Sequence, residues 1–509
     1  MVTTEVAMSF RRRWVALGIL MLASLLLAID GTVLALAVPA LTTSLSPTAE
    51  QVLWIGDVYS LALAGLLVLM GNLSDRFGRR RVLLLGSAAF GAASVLAAFS
   101  TSPEMLIAAR LLLGVAGATL MPSTLSLIRN IFTDDAERTR AIALWATSFG
   151  VGSAIGPLVG GVLLEHFWWG SVFLINVPVM VIVLVGGAMF LPESKNPDPG
   201  HFDVSSAVLS IVALTSTVYA IKHVVAAGLE TATVVALVVA VVSTTAFVHR
   251  QRRIDTPLLD LTLFRYRSFA GAVITNLIAI FALVGLLFFF SQYLQLGRGM
   301  SPLEAGVAEL PITVASVAVV VVIAGLLRRL GYGRAIATGL GLAALGLAGT
   351  SLAAGNAHYV WLALAMVLIG FGIGIATTLA ADVVLAVVPP SRAGAASAIT
   401  ETAYELGVVL GISVLGSFLS LTYRQGLSLP GSLDEATRTR VEDSFASAVS
   451  VLEPGSPVFE AAREAFIEAV QTTALVAAVA ALVAAVVAWR MIPHGRDVSV
   501  VGAHDAAGE

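Results

Sequence analysis

Apolar residues run along this chain in long blocks, with polar residues collected in short breaks between them. A bilayer core needs about 20 mostly apolar residues per helix. Blocks of that length lie near 14–38, 51–71, 82–101, 104–128, 140–163, 171–191, 204–222, 230–249, 270–295, 303–327, 334–354, 358–387, 394–421 and 470–491. The pattern predicts an all-α polytopic membrane protein with fourteen spans. The seventh and eighth blocks are short and divided by a brief turn around Gly228. The segment 425–469 is largely polar, with Val451, Phe459, Phe466 and Ile467 at helical spacing. It fits a short helical hairpin and a loosely ordered loop equally well.

Basic residues in short loops favour the cytoplasmic side. One set of loops holds Arg11–Arg13; Arg76 and Arg79–Arg81; Arg129, Arg138 and Arg140; Lys195; Arg250, Arg252, Arg253, Arg265 and Arg267; Arg328, Arg329 and Arg334; Arg392; then Arg490 and Arg496. The alternate short loops have almost none, with Lys222, Arg298 and Arg424 isolated. This alternation predicts an even span count, both ends in the cytoplasm and 425–469 outside, in the inner (plasma) membrane.

Composition narrows the chemistry. The chain is 58% hydrophobic and 12% charged, against about 25% charged residues in soluble domains. With no cysteine, disulfides and thiolate metal sites are excluded. The histidines have no ligand spacing, and no GxxxxGK[ST] loop is present, so no metal, nucleotide or other cofactor is expected. The apolar run after Arg13 is too long for a signal peptide and reads as a retained first span.

Seven ionisable residues fall inside spans: Asp30, Asp57, Arg110, Glu309, Asp382, Glu401 and Glu405. Intramembrane charges are costly, which makes them functional candidates. Loss of water favours the protonated form of a carboxyl, so such a group can hold a proton at one stage and attract a cation at another. Glu401 and Glu405 are four apart and share one helix face. Glu309 precedes Pro311 and a predicted kink. Asp57 reads as a pathway acid or a hydrated helix-start acid, and Asp382 is equally open. Among aromatics able to face a cation, Tyr59, Trp145 and Tyr404 have polar tips suited to a hydrated cavity.

Several runs carry a family resemblance. Gly71-Asn72-Leu73-Ser74-Asp75-Arg76-Phe77-Gly78-Arg79-Arg80-Arg81 joins the second and third spans. It resembles the complete signature loop of the major facilitator superfamily, which implies a gating role for Gly71, Asp75, Arg76, Gly78 and Arg79. Arg328–Arg334 is an echo of it without the acid, suggesting an internal repeat. Arg110, in Leu106–Gly117, either snorkels to the nearer surface or, as the resemblance to the family's fourth helix implies, takes part in proton transfer. Gly150–Gly161 offers a small-residue packing face, yet packing does not explain Pro157. With Gly152, Gly156 and Gly160, that proline resembles the motif marking exporters. Ala28–Val33 with Ala37-Val38-Pro39, and Trp168–Pro178, are similar to segments of the 14-span drug:proton antiporters (QacA and LfrA types).

The resemblance implies a major facilitator fold: two six-helix bundles, 14–191 and 270–491, with two extra helices at 204–249 between them and cytoplasmic ends at 1–13 and 492–509. It implies a proton-coupled antiporter exporting lipophilic cations by alternating access, not an enzyme. The expected partners are lipid, protons and cationic small molecules, with no nucleic acid or obligate protein partner. The alternative is a proton-driven exporter of a dedicated metabolite or antibiotic. Uptake is disfavoured by the Pro157 run, and a membrane enzyme or sensor by the lack of any metal constellation or signalling domain.

Overall fold

A computed structural model describes residues 8–195, 203–254, 257–356, 358–388, 392–431 and 433–495. Arg496, the first seven residues and the tail beyond 495 lie outside it. Fourteen helices are long and apolar enough to cross a membrane. They are α1 (Phe10–Leu45), α2 (Ala49–Phe77), α3 (Arg79–Ala98), α4 (Pro103–Ile131), α5 (Asp135–His166), α6 (Ser171–Phe190), α7 (Val204–Val225), α8 (Thr231–Gln251), α9 (Arg267–Gly297), α10 (Pro302–Leu330), α11 (Tyr332–Ala354), α12 (Tyr359–Val387), α13 (Ala395–Gly426) and α14 (Pro457–Met491). An even number of crossings puts both described ends on one side, called here the near side. The far side carries the segment between α13 and α14.

Polar caps mark where helices start. The first turn of a helix has backbone N–H groups without partners. Thr48 and Ser301 satisfy them through capping boxes with Gln51 and Glu304. Ser102, Asp134, Asp203 and Ser456 accept from the third residue of their helices. Between caps the outward faces are apolar: Val320, Val321 and Leu352 are 74%, 85% and 84% exposed. Hydrocarbon tolerates such faces, because the helix satisfies its own backbone groups.

Small residues set the packing. On α5, Gly152, Gly156 and Gly160 lie against Leu25, Ala28, Thr32 and Val33 of α1. A Cβ on Gly285 of α9 would come within 2.6 Å of the Gly411 backbone in α13. In the first half α1 packs on α5, and α2 and α3 pack on α4; in the second, α11 packs on α12 and α14, and α9 on α13 and α14. The extra helices α7 and α8 pack chiefly on each other, and α7 also touches α2 and α13. The pair therefore lies beside the seam between the halves, on its α2/α13 edge.

Cross-half hydrogen bonds cluster toward the far side. Gln295 Nε2 donates to the Leu36 carbonyl at 3.0 Å, and Ala49 N–H donates to the Asp443 carboxylate at 2.9 Å. Gly161 and Gly306 bring α5 and α10 together there, with Gly306 against the Pro157 carbonyl.

Segment 425–469 is a folded hairpin, not a loose loop. It contains helices Glu435–Asp443 and Phe445–Val449, and α14 begins at Pro457, well before 470. The apolar spacing explains the order: Phe445 stacks on Phe466 at 5.1 Å and packs against Phe459. Pro457 and capping Ser456 start α14 while its first turns are still polar on one side.

Candidate functional site

A cleft of about 1190 Å³, counting space continuous with solvent, lies between the halves. The first half contributes Tyr59, Arg110 and Pro157; the second contributes Glu309, Tyr404 and Glu405. Phe149, Phe288 and Met121 add apolar wall. Concave, mostly apolar space with a few convergent polar groups is the usual form of a small-molecule site.

The first-half charges are matched. Arg110 on α4 is 2% exposed, so it does not snorkel. Its Nη1 lies 3.1 Å from Asp30 Oδ2 on α1, and its Nε donates to the Ile55 carbonyl at 3.2 Å. The guanidinium sits 4.6 Å from the Tyr59 ring centroid. Asn176 on α6 donates to Asp30 Oδ1 at 2.8 Å and is 3.1 Å from Ser94 Oγ on α3. One carboxylate thus ties α1 to α4 and, through Asn176, to α3 and α6. Asp30 does not line the cleft; it is held behind Arg110 by these bonds.

The second-half acids are not matched. Glu309 and Glu405 line the cleft, and Glu309 Oε1 and Glu405 Oε2 are buried without a hydrogen-bond partner among the described residues. Ser60 of α2 stands beside Glu405. Glu309 occupies a break: residues Pro302–Ala308 and Leu310–Leu330 form separate helical segments, with Pro311 opening the second. The break re-aims the carboxyl into the cleft. Glu401 is half-buried one turn below Glu405, outside the cleft lining, so the pair shares a helix face but not the cavity. Trp145 also lies outside it, with its Nε1 buried and unpartnered, whereas Tyr59 and Tyr404 are in the wall. Asp382 is exposed near the near-side end of α12 and does not line the cleft.

Asp57 is not a hydrated helix-start acid. It is fully buried, does not line the cleft, and is 2.9 Å from Lys222 Nζ on α7. Lys222 is correspondingly no loop residue: it lies within α7, 2% exposed. Loop reasoning missed it because the apolar block ends at that position, although a lysine there has a buried partner only if α7 lies beside α2.

The signature loop lies on the near side. Gly78 takes a φ of 111°, open to glycine at low cost. Asp75 and Arg79 pair at 2.8 Å, both partly exposed, and Gly71 lies beside Pro122 of α4. Arg76 is exposed in the last turn of α2, before the C-cap Gly78. Glu193, which motif reading passed over, accepts from the Arg80 and Arg81 N–H groups and so ties the start of α3 to the end of α6. Its position just after Pro192 at the end of an apolar block was the available signal. Among the described residues no cluster of three or more His, Asp or Glu side chains is placed to hold a metal.

Comparisons agree with this architecture. A model of the Major Facilitator Superfamily matches residues 20–412. The multidrug efflux pump LfrA of Mycolicibacterium smegmatis is 44% identical over 94% of this chain and 95% of its own. The methyl viologen resistance protein SmvA of Salmonella typhimurium is 37% identical over 90% and 93%. In fold, the chain resembles a bacterial homologue of the human lysosomal transporter Spinster in an inward-facing, occupied conformation. That likeness has a TM-score of 0.66 at 16% identity, covering 98% and 99% of the two chains.

Proposed function

Because the chain belongs to the major facilitator superfamily, and is therefore a multi-pass membrane transporter rather than an enzyme, we propose that it exports lipophilic cationic drugs in exchange for protons. The cargo class is quaternary ammonium compounds and cationic dyes. Supporting the export direction are the Pro157 run and the multidrug efflux and methyl viologen resistance relatives; methyl viologen is a flat, permanently charged cation. Both chain ends face the cytoplasm of the plasma membrane, in keeping with the loop arginines. No cofactor is needed, since the driving force is the proton gradient.

One observation carries the reading: Glu309 and Glu405 face a common, largely apolar cleft, and neither has an ion-pair partner among the described residues. The one base in that wall, Arg110, is already neutralised by Asp30. A greasy cation entering from the near side would meet two carboxylates and the π faces of Tyr59, Tyr404 and Phe288. Once the cleft opens to the far side, protons reaching those carboxyls discharge the cation, and the protonated transporter returns. Export of one charge against two or more protons also draws on the membrane potential, at about 2.3 kcal/mol per charge per 100 mV. The far-side contacts of Gly161, Gly306 and Gln295 form the seal for the near-open stage. Asp75 and Arg79 are proposed to latch the near side in the opposite stage.

The test is ethidium transport in proteoliposomes under an imposed pH gradient. Accumulation should follow the gradient, collapse with a protonophore, and fall strongly with Glu309→Gln and Glu405→Gln. Gradient-independent transport, or full activity in both variants, would defeat the reading.

A further inference from the structure

Asp57, on α2 of the first half, is bonded by both the extra helix pair and the second half at once. Lys222 Nζ of the extra helix α7 lies 3.0 Å from Oδ1 and 2.9 Å from Oδ2. The same ammonium is 3.7 Å from the centroid of the Trp54 ring, one turn earlier on α2. On the other side, the Ser413 hydroxyl of α13 donates to Asp57 Oδ2. Ser413 lies in a π-helical turn, Gly411–Leu415, that interrupts α13 between Glu405 and the far side. Such turns widen a helix locally and recur where helices carry function. Next to this junction, Gly56 lies under Phe288 and Ile412, both in the cleft wall.

The two partners hold Asp57 with different strength. A buried ammonium–carboxylate pair cannot be separated without leaving an uncompensated charge in hydrocarbon-like surroundings, a heavy penalty. A neutral hydroxyl leaving a carboxylate loses one hydrogen bond and strands no charge. If the halves part on the far side, as alternating access requires, the seam at Asp57 will break at Ser413 and hold at Lys222.

From this geometry we propose that Lys222 is a positioning residue for transport. It fastens α7 to the first half through Asp57 and presents that carboxylate to Ser413, whose docking and release mark closing and opening of the far side. The extra helix pair thus moves with the first half as one body, and the α7–α13 contact slides. The inference rests on alternating access but not on the identity of the cargo or the driving ion.

The chain has no cysteine, so introduced pairs can be spin-labelled selectively. Thr101→Cys with His358→Cys spans the two halves at exposed far-side loops; Thr101→Cys with Glu230→Cys spans the first half and the extra pair. Distances are measured by pulsed electron resonance in nanodiscs, without substrate. Ser413→Ala should shift the Thr101–His358 distribution from mainly short to mainly long while leaving Thr101–Glu230 unchanged. The double variant Asp57→Asn/Lys222→Met removes both charges together, so it should remain monodisperse, and it should broaden Thr101–Glu230. Lys222→Arg alone, which keeps the ion pair with Asp57, should retain the parent's narrow distribution. An unchanged Thr101–His358 distance in Ser413→Ala, or an unchanged Thr101–Glu230 distance in the double variant, would overturn the proposal. Because no substrate is present, that failure would leave the proton–cation reading standing. Loss of ethidium accumulation in the unlabelled parent would sink only that reading.

Discussion

The two halves treat membrane-buried charge in opposite ways. In the first half, Asp30 is ion-paired with Arg110 and bonded by Asn176, and all three are buried. In the second, Glu309 and Glu405 each keep a buried carboxyl oxygen unpartnered among the described residues, and both face the cleft. A saturated charge holds helices in place; an unsaturated one is available for traffic. The difference teaches that an acid in a span is not by its presence alone a transport residue, and that what surrounds it decides which job it has.

The largest expected effect comes from breaking the saturated side. Arg110→Met leaves Asp30 buried without a counter-charge, a loss of about 3–5 kcal/mol. The variant should melt far below the parent when followed by size-exclusion fluorescence. The double variant Asp30→Asn/Arg110→Met should regain most of the melting temperature. An Arg110→Met variant as stable as the parent would erase the distinction between the halves.

Next, Glu405→Gln should lower ethidium export about tenfold or more, equivalent to roughly 1.4 kcal/mol in the limiting barrier. Its melting temperature should hold or rise, because a partnerless acid has been made neutral. Export and stability falling together would place Glu405 in the structural class with Asp30.

A smaller effect is expected at the far-side seal. Gly306→Val pushes a side chain against the Pro157 carbonyl, and overpacking of that kind costs about 1–3 kcal/mol. Export should fall several-fold while binding of a fluorescent cation, read by anisotropy, stays near the parent value.

The smallest effect sharpens the comparison from outside the membrane. Asp443 joins the far-side hairpin to the Ala49 N–H of α2. Burial pushes its carboxyl above the ordinary value, partly opposed by that N–H, Arg424 and Ser447. A folded-state pKa above the unfolded one gives a stability contribution that is full at acid pH and lost as pH rises through the folded value. Asp443→Asn should flatten that segment of the melting-temperature profile.

Much of the fold was legible in the chain because hydrocarbon imposes one period and one length. Every span followed from apolar block length. Helix ends were less legible: α14 starts on an amphipathic stretch that packs on Phe445, which no block-length rule detects. The site was legible as a set of acids but not as a division of labour. Asp30, Asp57, Glu401 and Glu405 look alike in sequence. Arg110 and Lys222, from helices distant in the chain, separate the first two from the last two. Tertiary partners of that kind leave no mark in local periodicity.

At Gly161 and Gly306 the joint between the halves is closed by glycine laid directly against backbone. Glycine has no rotamers to freeze when such surfaces meet and none to release when they part. Opening and resealing therefore exact little entropic toll on each turnover, as with a lapped joint compared with a zip. On the proposed proton exchange, the work of the gradient is left for moving cargo rather than for reordering the joint itself.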